Sequence, residues 1–214
     1  MSPGQTPGSP RSSTGWFSRR GVGKSTGWNR SIPSGLYSGA AMTRFGIISD
    51  THGRLDPAAL KHFEKVDRIL HAGDIGSEEV LSALEKIAPV TAIRGNNDLG
   101  TPLERLPDVD RIELDGREIL LIHNVKDYWK PAGEMKERLK GADPDLVISG
   151  HSHKGIIEQK DGMIYFNPGG AGPKRFSLKR SIGLMAWSKE AVRLKLIFLE
   201  EGRPTSRSFA FDDQ

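Results

Sequence analysis

A repeated punctuation limits what this chain can fold into: five short apolar runs, each of strand length, each ending in Asp, Asn or His. Phe45-Gly46-Ile47-Ile48 leads through Ser49 into Asp50-Thr51-His52, and strand 68–71 leads into His71-Ala72-Gly73-Asp74. Residues 90–94 run into Gly95-Asn96-Asn97-Asp98, the run before His123-Asn124 is Ile-Leu-Leu-Ile, and 145–149 runs into Gly150-His151-Ser152-His153. Helical patterns at about 56–66 (Ala59, Leu60, Phe63, Val66) and 77–87 (Val80, Leu81, Leu84, Ile87) separate the first three. This β-α-β-α-β order predicts a parallel sheet. In such sheets functional loops gather beyond the carboxyl ends of the strands, so the five clusters can converge.

The second half is richer in strands. Ile112 and Leu114 alternate with polar residues, and Asp115-Gly116 reads as a hairpin turn into 118–123. A helix is expected near 131–140, with Pro131 at its start and Met135 and Leu139 on one face. Further strands are expected at 155–159, 163–166, 182–187 and 191–199. The sum is a mixed α/β domain with two stacked sheets and helices outside.

The 214 residues are enough for one full core. Residues 1–41 are rich in Gly, Ser, Pro and Arg and hold five basic residues without one acidic residue, so they are expected to be a disordered basic extension. The remainder then carries 26 Lys+Arg against 27 Asp+Glu, which argues against a basic nucleic-acid groove. The domain is expected over 42–205, with 206–214 as a C-terminal tail. Gly21-Val22-Gly23-Lys24-Ser25-Thr26 superficially suggests a phosphate-binding loop, but Ser18 stands where that motif needs glycine and no strand precedes it. No cysteine is present, so a metal here must be held by oxygen and imidazole nitrogen. No apolar run has membrane-spanning length and the N-terminus lacks a secretory apolar core. A cytoplasmic, reducing compartment is the expectation.

Each polar cluster alone reads as turn chemistry. Four of the six histidines, His52, His123, His151 and His153, stand at strand ends within them, and His151 and His153, two apart beyond a buried strand, have little structural use. His62 is expected on a helix surface, and His71 as a hydrogen-bonded or core histidine.

The order D-x-H, G-D, G-N-x-D, H, G-H-x-H resembles the calcineurin-like metallophosphoesterases. The runs Ile48-Ser49-Asp50-Thr51-His52-Gly53 and Asn167-Pro168-Gly169-Gly170 look like the small bacterial and archaeal phosphodiesterase branch, over about residues 44–200. The resemblance implies a four-layer αββα sandwich, two mixed sheets flanked by helices. It implies that Asp50, His52 and His153 hold one divalent cation and Asn96, His123 and His151 a second, with Asp74 bridging them. Manganese is the first expectation, with nickel, iron or zinc as alternatives. Two such cations would clamp a phosphate and activate a bridging hydroxide for in-line attack. Asp74, Asn97 and Asp98 would be the catalytic groups, and Asn96, Asn97 and Arg175 would contact the substrate phosphate, with Lys174 as a second cation.

Two departures from the pattern stand out. Many family members have histidine where this chain has Asn97, and an amide cannot deliver a proton near neutral pH. Asn124 replaces the glycine that commonly follows the ligand at His123. The expected activity is hydrolysis of phosphodiesters or activated phosphate esters, with a small phosphate ester as substrate. The rival from another class is a weakly catalytic scaffold that binds protein partners. Tyr128 and Trp129 could stack on a substrate, cap the core, or form the contact of a homo-oligomer.

Overall fold

The computed structural model describes residues 42–175, 177–200 and 204–211, so the extension over 1–41 and its expected disorder lie outside the described residues. Two mixed sheets stack face to face. The first sheet contains β1 (Thr43–Ile48), β2 (Arg68–Ala72), β3 (Val90–Ile93), β9 (Ser181–Trp187), β10 (Ala191–Phe198) and β11 (Thr205–Ala210), in the order β11-β10-β9-β1-β2-β3. The second contains β4 (Val109–Leu114), β5 (Arg117–Ile122), β6 (Leu146–Ile148), β7 (Ile156–Lys160) and β8 (Met163–Asn167), in the order β4-β5-β6-β8-β7. Strands β1, β2 and β3 are parallel, as are β5, β6 and β8. Their carboxyl ends carry the five clusters.

Alternation along each strand sorts side chains between layers. Phe45, Ile47, Leu70 and Ala72 face inward and join Ile119, Leu121, Leu146, Ile148 and Phe166 of the other sheet in one core. Ile48 and Ile69 face outward to α1 (Pro57–Phe63) and α2 (Glu78–Glu85), against Ala59, Phe63, Val80 and Leu84. In both helices the buried pair is spaced i, i+4, the spacing that puts two residues on one face. Asp56 caps α1 by accepting from the Ala58 N–H at 2.8 Å, and Pro57 follows in the first turn. On the far side, Leu120, Ile122 and Val147 meet α3 (Val125–Trp129) and α4 (Gly133–Arg138) through Val125, Tyr128 and Met135. The layers are therefore helix, sheet, sheet, helix. Burying each large apolar side chain contributes about 1.5–3 kcal/mol.

The turn between β4 and β5 has positive φ at both Asp115 (55°) and Gly116 (78°), the two-residue hairpin expected from Asp-Gly. Two local expectations are corrected. The helix expected near 131–140 is the shorter α4, which starts at Gly133 instead of Pro131, and α3 before it is a separate helix that was not expected. The tail expected over 206–214 begins as a strand: β11 pairs antiparallel with β10, with Leu196 opposite Thr205 and Ala191 opposite Ala210. An edge strand with mostly exposed side chains, such as Thr-Ser-Arg-Ser-Phe-Ala, carries almost no apolar alternation to announce it. Tyr128 and Trp129 serve the outer layer. The Trp129 indole N–H donates to the Tyr165 hydroxyl at 3.3 Å, while Tyr128 packs beneath.

Candidate metal centre

The loops beyond β1 and β2 are laced together by the backbone: Asp50 N–H donates to Gly73 O and His52 N–H to Asp74 O, both at 3.0 Å. The second sheet's loop reaches across to them. The His151 N–H lies 3.1–3.2 Å from both Asp50 carboxylate oxygens, and the Ser49 hydroxyl donates to Asp50 Oδ2 at 2.6 Å. Five of the seven expected ligands hold left-handed backbone: Asp50 (φ 54°), His52 (46°), Asp74 (54°), His151 (67°) and His153 (55°). That conformation costs a side-chain-bearing residue roughly 1–2 kcal/mol. Such outliers cluster where function demands them, and here they fall on alternate residues of two loops, Asp50 and His52 and then His151 and His153, and on Asp74.

The donors converge in two overlapping groups. One ligand atom each from Asp50, His52 and His153 lie within 4.8 Å of one another, as do those of Asp50, Asp74 and His123. The His52 and His153 rings stack at 5.2 Å with their Nε2 atoms 3.3 Å apart. His151 stands edge-on to His123 at 5.2 Å, and its Nδ1 lies 2.9 Å from Asn96 Oδ1. All seven expected ligands thus meet at one rim.

Their donor atoms suit a cation. In the neutral His123 ring, Nδ1–H donates to Ala72 O at 2.7 Å, which leaves Nε2 with a lone pair. That Nε2 is buried without a hydrogen-bond partner and lies 3.4 Å from Asp74 Oδ1. A buried lone pair beside a buried carboxylate is costly alone and well satisfied by a metal ion. Burial opposes a charge on His123, but Asp74 and Asp50 outweigh it and raise its pKa. Burial raises Asp50 to about 6, against the pull of His123 and the Ser49 bond. Burial would raise Asp74 too, but His123 and two bonds from Asn97 hold it below the usual carboxylate range. Burial keeps His153 at about 4, with Arg175 and His52 adding to it, and lowers His52 and His151 as well.

The pH dependence of the metal-free protein follows. Four rings, His52, His71, His151 and His153, stay neutral when folded at pH values where the unfolded chain protonates them. Below about pH 6.5 the unfolded state then binds more protons, and stability falls as pH falls toward about 4. Asp50 and His123, both raised, act in the opposite sense and offset only part of this. The urea midpoint of metal-free protein is expected to be lower at pH 5 than at pH 7.5. An equal or higher midpoint at pH 5 would mean that the rings exchange protons freely with solvent.

The calcineurin-like phosphoesterase superfamily domain matches residues 43–190. The chain belongs to this superfamily. A probable metallophosphoesterase of Methanocaldococcus jannaschii is 35% identical over 164 residues, covering 73% of this chain and 81% of its own. A phosphodiesterase of the same organism is 31% identical over 143 residues, 59% of this chain and 82% of that one. Among solved structures, vacuolar protein sorting 29 from Cryptosporidium parvum superposes with a TM-score of 0.65 at 21% identity, over 80% of this chain and 99% of that chain. The metallophosphoesterase fold expected from the motifs is the fold observed.

Three residues of this metallophosphoesterase take places the motif alone does not specify. Asp98 is fully buried, and its carboxylate accepts from the backbone N–H groups of Ile75 (3.1 Å), Gly76 (2.9 Å) and Gly95 (2.8 Å). Both of its oxygens are thus held by backbone donors, and it staples the β2 and β3 loops that carry Asp74 and Asn96. Asn97 donates its side-chain amide to Asp74 Oδ2 at 2.6 Å and its backbone N–H to Oδ1 at 2.8 Å, so it orients Asp74. Arg175 does reach the rim: its Nη2 lies 3.3 Å from His52 Nε2. Asn167 was not anticipated as a single residue. Its amide donates to Gly150 O at 2.6 Å and its Oδ1 accepts from Gly169 N–H, so it holds the loop of His151 and His153. The Asn-Pro-Gly-Gly run was its only sequence signal. No helix among the described residues is long and apolar enough to cross a membrane.

Proposed function

We propose that this metallophosphoesterase hydrolyses phosphodiesters, or phosphate esters with good leaving groups, at a two-cation centre. Asp50, His52 and His153 would hold one cation, Asn96, His123 and His151 the other, and Asp74 would share its oxygens between them. Manganese suits this mixture of carboxylate, amide and imidazole donors. Bound there, the cations would supply Lewis acidity to the phosphate and lower the pKa of an attacking water. The observation that carries the reading is the convergence of Asp50, His52, Asp74, His123 and His153 in two overlapping donor groups, with His151 and Asn96 beside them.

The chain's own residues account for the expected preference. Arg175, exposed at the rim beside His52, is placed to attract the phosphate charge and orient the ester. Asn97 holds Asp74 and has no proton to give. His71 cannot replace it, because it is fully buried and burial lowers its pKa to about 3. Without a general acid, worth about 10²–10⁴-fold, the leaving group departs unprotonated. Turnover should therefore depend steeply on leaving-group acidity. Metal-stripped protein given manganese is expected to cleave bis-p-nitrophenyl phosphate faster than p-nitrophenyl phosphate. Asn97→His should gain most on the poorest leaving groups. Bound manganese without turnover of either ester would favour the partner-binding scaffold.

A further inference from the structure

Two side chains outside the expected ligand set hold one of the two strained turns of the site. We propose that His71 and Thr51 form a positioning clamp for the cation centre, in which His71, acting through the Thr51 hydroxyl, fixes the turn that presents Asp50 and His52. The inference rests on the cation reading above and extends it to groups outside the ligand set.

Thr51 lies between two left-handed residues, Asp50 at φ 54° and His52 at 46°. Such backbone persists only where its surroundings over-determine it. The Thr51 hydroxyl is fully buried and makes two bonds. One goes to Ile75 O at 2.8 Å, and a carbonyl can only accept, so the hydroxyl proton is committed there. The second, at 3.0 Å to His71 Nε2, must then have the ring as donor. This fixes the tautomer: the proton sits on Nε2 and Nδ1 is bare. Nδ1 is indeed buried without a partner. A histidine in an apolar layer beside Ile69 and Ile75, with one nitrogen unsatisfied, is a poor packing choice. Its useful nitrogen is the one on Thr51. Because Ile75 follows Asp74, the same hydroxyl ties the β1 loop to the β2 loop, and so sets Asp50 and His52 relative to the bridging carboxylate. Partners that orient ligands in this way typically change metal affinity about 10–100-fold when removed.

The test is manganese titration of the metal-stripped full chain, with the melting temperature of each metal-free variant measured alongside. Thr51→Val and His71→Leu are each expected to raise the manganese dissociation constant about tenfold or more. The double variant should be little worse than either single, because both remove one clamp. Thr51→Ser keeps the hydroxyl and His71→Gln keeps an N–H at the same reach, so both should recover most of the affinity. Wild-type affinity in folded Thr51→Val, or losses that multiply in the double variant, would overturn the clamp while leaving the cation centre standing. Wild-type protein that takes up no divalent cation overturns both.

Discussion

Asp74→Asn is expected to lose bound divalent metal and, with it, phosphodiester hydrolysis, while the metal-free fold survives. The carboxylate turns an oxygen toward each half of the site: Oδ1 is 3.4 Å from His123 Nε2 and Oδ2 is 3.9 Å from His52 Nε2. Removing its charge takes away the strongest attraction for two neighbouring cations. The new amide would also turn N–H toward the Asn97 amide, which now donates to Oδ2, so donor would face donor. Loss of a direct ligand should exceed the ~10–100-fold effect of an outer partner. The fold should survive, because Asp74 repels Asp50 in the metal-free state and its removal relieves that repulsion. Elemental analysis after manganese loading, with circular dichroism on the same sample, checks both halves. Wild-type metal content in the variant would refute the ligand assignment.

Gly95→Ala should have a comparable effect without touching a ligand. Gly95 has φ −103°, a region open to any residue, so the demand here is for space. A methyl group built there would run into the Asp74 carboxylate and the Asp74 backbone nitrogen. Backbone cannot yield as a flexible side-chain end can. The β3 loop would shift, taking with it the Gly95 N–H bond to Asp98 and the amide of Asn97. Overpacking of this kind costs about 1–3 kcal/mol. The expected result is a lower urea midpoint together with a manganese affinity reduced by about tenfold or more. An alanine variant with wild-type midpoint and affinity would show that the loop has room to spare.

The sequence reveals the strands and their polar ends because both signals are local. An apolar run closing on Asp-Thr-His or Gly-His-Ser-His is visible within ten residues, and strand direction brings such ends to one edge. The rest depends on partners far apart in the chain. The His151 N–H reaches Asp50 across 101 residues and Asn97 reaches Asp74 across 23. Asp98 looks like a turn aspartate followed by a loop, and only the fold shows three N–H groups from two loops pointing at it. The left-handed backbone at five of the proposed ligand positions has no sequence signal either, since none of the five is glycine. Strand β11 escaped notice for the opposite reason: an exposed edge imposes too little apolar pattern to read.

The proposed two-cation site draws seven side chains from the loops of two sheets. Titration calorimetry of metal-stripped protein with manganese tests it most directly, run on wild type and on Asp74→Asn. Two cations per wild-type chain and loss of both in the variant are expected. A single cation in wild type, or unchanged stoichiometry and affinity in Asp74→Asn, would contradict it.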